Sequence, residues 1–272
     1  MLKDKIGVIG AGKIGSAILR GVMGAGLVDK SEVIASAPRE AVRQDLAREL
    51  AIKVTADNAE VCDFADIVIL TVKPQIVQPV LEDVAKRLGR NKLLVSVAAG
   101  VSTSMIATYL ERGARVVRVM TNTPCVVGAA ASGYSAGSHA TQEDLDKVGR
   151  ILKSVGIALP LEERHLDAVT GLSGSGPAYV FLFIESLADG GVQVGLSRDV
   201  ALKLALQTVY GSARMALESG KHLGQLRDEV TSPGGTTIAG LYALEKGGMR
   251  GTVMEAVLQA SYRSQALGKG ES

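Results

Sequence analysis

The segment IGVIGAGKIG, residues 6–15, decides the fold of this chain. An apolar run, Ile6–Ile9, leads into Gly10-Ala-Gly-Lys-Ile-Gly15, and a helical pattern follows at once. In the spacing Gly-x-Gly-x-x-Gly, the first glycine permits a tight turn and the second lets a phosphate approach the backbone. The third allows close packing of helix on strand. The alternative is a tight turn without a ligand, but the strand–loop–helix context favours a dinucleotide-binding loop.

Short β-branched runs alternate with helix-like stretches through the first 162 residues. The predicted strands are Ile6–Ile9, Val33–Ala35, Ile67–Val72, Leu93–Val97 and Val116–Met120. The predicted helices between them are Ile14–Met23, Glu40–Leu50, Val77–Leu88 and Thr103–Arg112. Gly133–Ser138, Leu145–Ser154 and Ile157–Leu161 extend the same domain. This alternation predicts an α/β fold in which a Rossmann-type, doubly wound parallel sheet carries helices on both faces.

After Glu162 the strand pattern stops, and only helical patterns follow. The predicted helices are Ala178–Gly190, Asp199–Glu218, Leu223–Val230, Thr236–Glu245 and Thr252–Leu267. The second of them is apolar on more than one face, so it must be buried on more than one side. About 110 residues offer few internal partners for it. We therefore expect residues 1–162 to bind a dinucleotide and residues 163–272 to form an all-helical C-terminal dimerisation domain.

Composition excludes several classes of function. The 272 residues contain 30 Lys and Arg against 28 Asp and Glu, and a net charge of +2 does not favour a nucleic-acid or membrane-surface protein. Two cysteines cannot form a disulfide framework or a four-ligand zinc site, and we expect no metal. No apolar run reaches the ~18–20 residues that a membrane helix needs. A reducing cytoplasm is the expected location.

The end of the second strand selects the dinucleotide. NAD sites usually place an acid there, which accepts a hydrogen bond from the ribose 2′-hydroxyl. This chain has Ala35-Ser-Ala-Pro-Arg39 and no acid. Ser36 and Arg39 could hold a 2′-phosphate instead, so we expect NADP(H) in preference to NAD(H). The alternative for Arg39 is a solvated charge at the start of the next helix.

Two further strand ends carry small residues that suit a nucleotide. Thr71-Val-Lys-Pro74 ends one strand and Val97-Ala-Ala-Gly100 ends another. Ligands of such sheets lie beyond the carboxyl ends of the strands. Asn58 could reach the adenosine side, and its alternative role is to cap a helix.

The run Gly171-Leu-Ser-Gly-Ser-Gly-Pro177 lacks the Gly-x-Ser-x-Gly spacing of a hydrolase nucleophile. It resembles the Gly-x-x-Gly-x-Gly-x-x-x-Lys pattern of β-hydroxyacid dehydrogenases, except that Val180 stands where the lysine should be. Oxidation of an alcohol requires that lysine to remove a proton. A substrate that needs less acid–base help, such as a protonated imine, therefore fits better.

The run Thr231-Ser-Pro-Gly-Gly-Thr-Thr237 is a candidate anion site. Pro233 and the glycines predict a tight turn, and Thr236 and Thr237 begin a helix whose first N–H groups are unpaired. A substrate carboxylate could be held there without an arginine. An ordinary helix start is the alternative.

Seven segments together resemble the pyrroline-5-carboxylate reductases over essentially the whole chain. They are GAGKIG at 10–15, TVKP at 71–74, VAAG at 97–100, MTNTP at 120–124, GLSGSGPAY at 171–179, LADGG at 187–191 and DEVTSPGGTT at 228–237. The resemblance implies a dinucleotide-binding domain, a helical domain that forms an interlocked homodimer, and assembly to a homodecamer. It implies NADPH, with NADH as an alternative, and no nucleic-acid or membrane partner.

The resemblance also implies site residues. The cofactor would contact Gly10, Ala11, Gly12, Lys13, Ile14, Gly15, Ser36, Ala37, Arg39, Asn58, Thr71, Val72, Lys73, Pro74, Val97, Ala98, Ala99 and Asn122. The substrate would contact Glu163, Ser232, Gly234, Gly235, Thr236 and Thr237. Asn122 would lie near the nicotinamide. Glu229 stands where some relatives have a ligand-contacting Asn, so no contact is expected of it.

The implied reaction is reduction of 1-pyrroline-5-carboxylate to L-proline, the last step of proline biosynthesis, by hydride transfer. We expect the Thr237 hydroxyl to orient the ring nitrogen rather than to donate a proton, because threonine is a poor acid at neutral pH. Three alternatives remain. They are an oxidoreductase for another small imine or carbonyl compound, a binding protein that senses the NADPH/NADP ratio, and a scaffold that retains only the helical assembly.

Overall fold

The computed structural model describes residues 1–268, and the chain divides into two compact units. Among these residues, the first unit comprises Met1–Ser175 and 258–268, and the second comprises Gly176–Val257. The last four residues of the predicted second domain, 269–272, lie outside the described residues.

The first unit contains an eight-stranded sheet in the order β3-β2-β1-β4-β5-β6-β7-β8. Its strands are β1 (Ile6–Ile9), β2 (Val33–Ser36), β3 (Lys53–Thr55), β4 (Ile67–Leu70), β5 (Leu93–Ser96), β6 (Arg115–Met120), β7 (Ala130–Ala136) and β8 (Gly156–Pro160). Only the β6–β7 pair is antiparallel. The first six strands follow the order 3-2-1-4-5-6 of dinucleotide-binding domains, so the predicted doubly wound fold is confirmed.

The register aligns the carboxyl ends of the central strands. Ile9 pairs with Ser36 on one side and with Leu70 on the other, and Leu70 pairs with Ser96. The segments that follow β1, β2, β4 and β5 therefore leave the sheet along one edge. These four segments carry most of the predicted cofactor residues.

Helices cover both faces of this sheet because side chains alternate along each strand. In β4, Ile67 and Ile69 pack in one apolar cluster, while Val68 and Leu70 pack in another. The helices of the first unit are α1 (Lys13–Gly24), α2 (Glu40–Leu50), α3 (Asn58–Phe64), α4 (Val77–Val84), α5 (Thr103–Ala107), α6 (Gln142–Lys153) and α7 (Leu166–Val169). Residues of α1 and α6 join the first cluster, and residues of α3 and α4 join the second.

The second unit is helical, as predicted. Its helices are α8 (Gly176–Gln193), α9 (Arg198–Ser219), α10 (Leu223–Glu229) and α11 (Thr236–Lys246), and α12 (Met249–Gly268) begins in this unit and ends in the first. Its interior is a small cluster of Ile184, Ala188, Ala201 and Ala205. Among the described residues, no helix combines the length and the hydropathy that crossing a membrane requires.

Several elements differ from the predicted ones. The sequence reasoning missed β3 and α3, which lie between the predicted second and third strands. The predicted strand Ile67–Val72 ends at Leu70, although the Thr71 N–H still donates to the Ile9 carbonyl at 2.9 Å. The predicted helix Thr103–Arg112 ends at Ala107, where the Thr108 hydroxyl donates to the Met105 carbonyl and so competes with the helical pattern.

Candidate active site

The glycine loop is held by the two neighbouring strand ends. The N–H groups of Gly10 and Ala11 donate to the Ser36 carbonyl at 3.1 and 2.8 Å. From the other side, Thr71 Oγ1 donates to the Gly10 carbonyl at 2.8 Å. Gly10 has φ +86°, a conformation that L side chains rarely adopt. The loop therefore has one defined conformation before any ligand arrives.

Other atoms of the protein pack closely around Gly15 but not around Gly12. A Cβ at Gly15 would lie 2.6 Å from Thr71 Oγ1 and 2.9 Å from Val8 Cγ1, so the packing of α1 on β1 requires glycine. A Cβ at Gly12 would lie no closer than 3.8 Å to any other protein atom, and the backbone there is extended. The protein itself does not require a glycine at position 12. A ligand that came close to this backbone would require one, and a pyrophosphate fits that requirement.

The start of α1 adds an anion-binding environment. Gly12 is its N-cap and supplies no side-chain cap, and the first turn contains no acid. The first N–H groups of a helix have no intrahelical acceptor, and the helix dipole is positive at this end. These features fit a phosphate group above Gly12.

A groove of about 600 Å³ runs beside the loop and is lined by Ala11, Gly12, Lys13, Ser16, Arg20, Arg39, Val42, Asp45, Leu46, Glu49, Thr123 and Val126. Its acids are already paired. Asp45 accepts from Arg48 at 2.7 Å, and Glu49 accepts from Arg20 at 2.6 and 2.7 Å. The hydrogen bond from Arg20 holds the pKa of Glu49 below its usual value.

The cations that remain make the groove positive. Among the described residues, Lys13 and Arg39 form no ion pair or hydrogen bond through their side chains. Both are exposed at the groove. An anionic ligand with more than one phosphate suits this charge distribution.

Ser36 and Asn58 act as a pair. Ser36 is 1% exposed, and its hydroxyl donates to Asn58 Oδ1 at 2.7 Å. Asn58 is half-buried at the first position of α3, and the N-cap of that helix is Asp57, which accepts from the Ala59 N–H at 2.8 Å. The alternative role of Asn58 as a helix cap is therefore wrong. The side-chain amide of Asn58, rather than the Ser36 hydroxyl, is the more exposed donor of this pair.

A second cavity, of about 240 Å³, lies at the ends of β4, β5 and β6. It is lined by Ile14, Thr71, Val72, Lys73, Pro74, Val97, Ala98, Ala99, Met120 and Thr121. Eight of these ten residues are predicted cofactor residues, so the structure brings them to one place. The lining is mostly apolar, and Thr121 is held by a 2.7 Å hydrogen bond between its hydroxyl and that of Ser132.

Asn122 lies next to this cavity but is engaged within the protein. Its Nδ2 donates to the Ser173 carbonyl at 3.0 Å, and its Oδ1 accepts from the Ala131 N–H at 3.0 Å. It thus joins the end of β6 to the turn 170–174. Its predicted proximity to a nicotinamide stays a prediction.

Glu163 belongs to a partly buried polar network in the first unit. Its carboxylate accepts from the N–H and the hydroxyl of Thr103 at 2.7 and 2.6 Å. Arg118, 4% exposed, donates to Glu163 at 3.5 Å and to Asp167 at 2.9 Å, and Ser264 donates to Asp167 at 2.8 Å. A substrate contact of Glu163 stays a prediction, and it would have to coexist with these bonds.

The other predicted substrate residues lie in the second unit, before and at the start of α11. The Gly235 N–H donates to the Ser232 carbonyl at 3.1 Å, and Gly234 has φ +67°. With Pro233 at the second position, these are the features of a type II turn. Gly235 is the N-cap of α11 and gives no side-chain cap, and the first turn has no acid. Its free N–H groups suit a carboxylate.

Sequence reasoning missed several residues around these sites. Met120 and Thr121 line the second cavity. Their position at the end of a predicted strand could have indicated a contact with the ligand. Arg118 had a signal too, because a charged residue inside an apolar strand must find a partner. Arg43 donates to the carbonyls of Ala37 and Pro38, and it lies four residues after Arg39 on the same helix.

This sheet order and glycine loop define the class of dinucleotide-binding oxidoreductase domains. The family model described as "NADP oxidoreductase coenzyme F420-dependent" matches residues 5–100, and "Pyrroline-5-carboxylate reductase dimerisation" matches residues 163–267. The pyrroline-5-carboxylate reductase of Methanosarcina acetivorans is 49% identical over 269 residues, 99% of this chain and 100% of that protein. That of Arabidopsis thaliana is 47% identical over 263 residues, 97% of this chain and 95% of that protein.

Solved structures agree with these relatives. The pyrroline carboxylate reductase of Plasmodium falciparum, solved with NADP bound, is similar with a TM-score of 0.88 and 36% identity, and covers 98% of this chain and 99% of its own. The Coxiella burnetii pyrroline-5-carboxylate reductase gives a TM-score of 0.91 and 34% identity, and the match covers 97% of this chain and 98% of that one. The chain belongs to the pyrroline-5-carboxylate reductase family.

Proposed function

We propose that this protein reduces 1-pyrroline-5-carboxylate to L-proline, the last step of proline biosynthesis, with NADPH as the preferred reductant. The observation that carries the proposal is the glycine loop beside the positive groove, in a chain that belongs to this family over its whole length. The relative solved with NADP bound supports the choice of cofactor. NADH remains an alternative reductant.

The first unit supplies the residues that would hold the cofactor. The backbone of Gly10–Gly15 takes the pyrophosphate, and the turn at Ser36, Ala37 and Arg39, with Asn58, takes the adenosine side. The cavity lined by Thr71–Pro74 and Val97–Ala99 takes the nicotinamide side, and Asn122, the residue after Thr121 of that lining, would lie near the nicotinamide. When bound, NADPH supplies a hydride from carbon 4 of its nicotinamide. The apolar lining keeps water from that end.

The second unit supplies the residues that would hold the substrate. Ser232, Gly234 and Gly235 form the turn, and the N–H groups of Thr236 and Thr237 bind the carboxylate at the positive end of α11. The half-buried Thr237 hydroxyl orients the ring nitrogen. Glu163 contributes to the substrate side from the network with Thr103 and Arg118.

The proposed reaction depends more on the relative orientation of cofactor and substrate than on proton transfer by the protein. A protonated imine already carries the positive charge that attracts a hydride. The absence of a lysine at position 180, where Val180 stands, therefore does not impede it. Orientation of two reactants can supply roughly 7–11 kcal/mol of a barrier. The product amine takes its proton from water.

We further propose a domain boundary between Glu162 and Glu163, a homodimer that assembles to a homodecamer, and a cytoplasmic location. The match of the dimerisation model from residue 163 supports the boundary and the dimer. The apolar side chains exposed on α9 support an assembly. The two cysteines are free, which suits a reducing compartment.

A continuous assay tests the proposal. The purified chain is mixed with 1-pyrroline-5-carboxylate and NADPH, the loss of NADPH absorbance is followed, and proline is quantified at the end. We expect one proline for each NADPH consumed. If neither NADPH nor NADH is oxidised across neutral pH, the enzyme proposal is wrong and a binding or scaffold role is favoured.

A further inference from the structure

The turn that joins β2 to α2, residues 37–39, is held by one side chain, that of Arg43. Arg43 Nη1 donates to the Ala37 carbonyl at 2.8 Å and to the Pro38 carbonyl at 2.7 Å. These carbonyls belong to the two residues directly before Arg39, the N-cap of α2. Because both peptide groups are held, the direction in which the Arg39 side chain leaves the backbone is also set.

The charge of Arg43 is not neutralised by its partners. Both partners are uncharged carbonyls, and within residues 1–268 its guanidinium forms no ion pair. Arg39, four residues earlier, has no partner among the described residues either. Glu40 is the acid of the first turn, and it accepts from Gln44 at 3.0 Å.

The exposed Arg39 side chain suits an anionic ligand. Arg39 is the N-cap of α2, and a cation at the positive N-terminal end of a helix is unfavourable. Arg43 lies beyond the first turn, and its hydrogen bonds to two carbonyls offset its charge there. A phosphate group bound at the turn would pair with Arg39.

The turn is also connected to the glycine loop. The Ser36 carbonyl, directly before the turn, accepts from the Gly10 and Ala11 N–H groups. Gly12 and Arg39 line the same groove of about 600 Å³. A dinucleotide whose pyrophosphate lies on Gly12 places its adenosine ribose at the end of the second strand, which is β2 here.

We propose that Arg43 is a specificity-determining positioning residue for the 2′-phosphate of the cofactor, which it favours by holding the Ala37 and Pro38 carbonyls and thereby Arg39. This inference rests on the proposed function, since it requires a dinucleotide in the groove. Arg39 makes the contact with the phosphate, and Arg43 acts through Arg39. Discrimination between NADP⁺ and NAD⁺ therefore depends on both residues as one unit.

Binding of NADP⁺ and NAD⁺ to the full chain, measured by titration calorimetry, tests the inference without any turnover. The variants are Arg39→Gln, Arg43→Gln and the double variant. Arg112→Gln is the control, because Arg112 is an exposed arginine that lies outside α2 and outside the lining of the groove. Unfolding temperatures are measured for each variant. Arg43→Met gives the same comparison if Arg43→Gln does not fold.

We expect Arg43→Gln to weaken NADP⁺ binding about tenfold, the effect of a lost hydrogen bond to a charged group, and NAD⁺ binding less than about twofold. Arg39→Gln should do the same. The double variant should lose about tenfold rather than about a hundredfold, because coupled residues are not additive. Arg112→Gln should change neither affinity.

Three results would overturn the inference. They are equal weakening of NADP⁺ and NAD⁺ by Arg43→Gln, unchanged NADP⁺ binding, and additive losses in the double variant. Equal weakening would mean that Arg43 only stabilises the local fold. If the unaltered protein binds neither nucleotide, the proposed function itself fails, and that outcome is distinct from the three above.

Discussion

At the scale of single residues, the three glycines of the loop differ in the reason why their position holds a glycine. Gly10 is needed for its positive φ, and Gly15 is needed because a Cβ would collide with Thr71 and Val8. Gly12 is needed for neither reason, since the space around it is open. A ligand that approaches the backbone at this position would account for Gly12. This distinction gives the dinucleotide proposal a structural basis that the spacing alone lacks.

Gly12→Ala should weaken mainly cofactor binding, whereas Gly15→Ala should lower mainly the stability of the fold. Gly12→Ala should leave the free energy of unfolding within about 0.5 kcal/mol but weaken NADP⁺ binding about tenfold or more, because the new methyl group occupies the phosphate's place. Gly15→Ala should destabilise the fold by about 1–3 kcal/mol through overpacking. Denaturant titration and calorimetry measure both effects. Normal NADP⁺ binding by Gly12→Ala would contradict the assignment of the loop.

Thr237 should affect turnover and not cofactor binding. Removal of its hydroxyl in Thr237→Ala takes away one hydrogen bond to the substrate ring, so we expect kcat to fall about tenfold while the Kd for NADPH is unchanged. Thr237→Ser keeps the hydroxyl and is the control. Steady-state kinetics and a binding titration provide the two readouts. Unchanged turnover in Thr237→Ala would refute the role given to this residue.

Local patterns predicted the parts of the site that the backbone makes. The glycine loop, the ends of β4 and β5, and the turn before α11 follow from glycine, proline and small residues at short spacing. Contacts between distant residues could not be predicted in this way. Asn122 bonds to Ser173, and Glu163 bonds to Thr103, across 51 and 60 positions of the chain. Nothing in a local pattern selects these partners.

At the scale of elements, one partly buried network of hydrogen bonds and ion pairs joins four of them. Arg118 in β6 bonds to Glu163 and to Asp167 in α7, Glu163 bonds to Thr103 at the start of α5, and Ser264 in α12 bonds to Asp167. Thr103 directly follows the segment from Val97, whose first residues line the nicotinamide-side cavity. The network thus stabilises the elements behind that cavity.

Loss of Arg118, the cation of this network, should lower the free energy of unfolding. Arg118→Met leaves the Glu163 and Asp167 carboxylates without this cation, although Thr103 and Ser264 still donate to them. Because both carboxylates are partly exposed, we expect a destabilisation of about 1–3 kcal/mol. Arg112→Met changes an exposed arginine nearby in sequence and should have an effect below about 0.5 kcal/mol. Urea unfolding measures both variants. Equal stability of the two would show that the network contributes nothing to the fold.

The elements that were missed have a physical reason in common. β3 is a three-residue strand at the edge of the sheet, and its residues are half-buried or exposed. An edge strand of this kind lacks the continuous apolar run that marks β1 and β4. The short helix α3 buries only Val61 and Cys62, too few for a periodic pattern. Central elements were predicted because burial on both faces leaves a strong signal.

At the scale of the whole molecule, the second unit has more apolar side chains than it can bury. In α9, only Ala201 and Ala205 are buried, whereas Leu204 is 55% and Leu217 is 84% exposed. The sequence indicated this imbalance, because the helix is apolar on more than one face. A single chain leaves an apolar surface that another subunit can cover.

A charge on this surface should prevent assembly. Leu204→Glu places a carboxylate in the proposed subunit contact, where burial without a partner costs several kcal/mol. Lys203→Gln, on the adjacent position of α9, is the control. Light scattering after size-exclusion chromatography should show a smaller species for Leu204→Glu and an unchanged mass for Lys203→Gln. If Leu204→Glu keeps the native mass, α9 does not form the contact.

The central claim is that a hydride passes from nicotinamide carbon 4 to the imine carbon of pyrroline-5-carboxylate. The most direct test uses NADPH that carries deuterium at both positions of that carbon, with mass spectrometry and NMR of the product. We predict proline with one deuterium, located at carbon 5 of the ring. Proline without deuterium, or no proline, would contradict the claim.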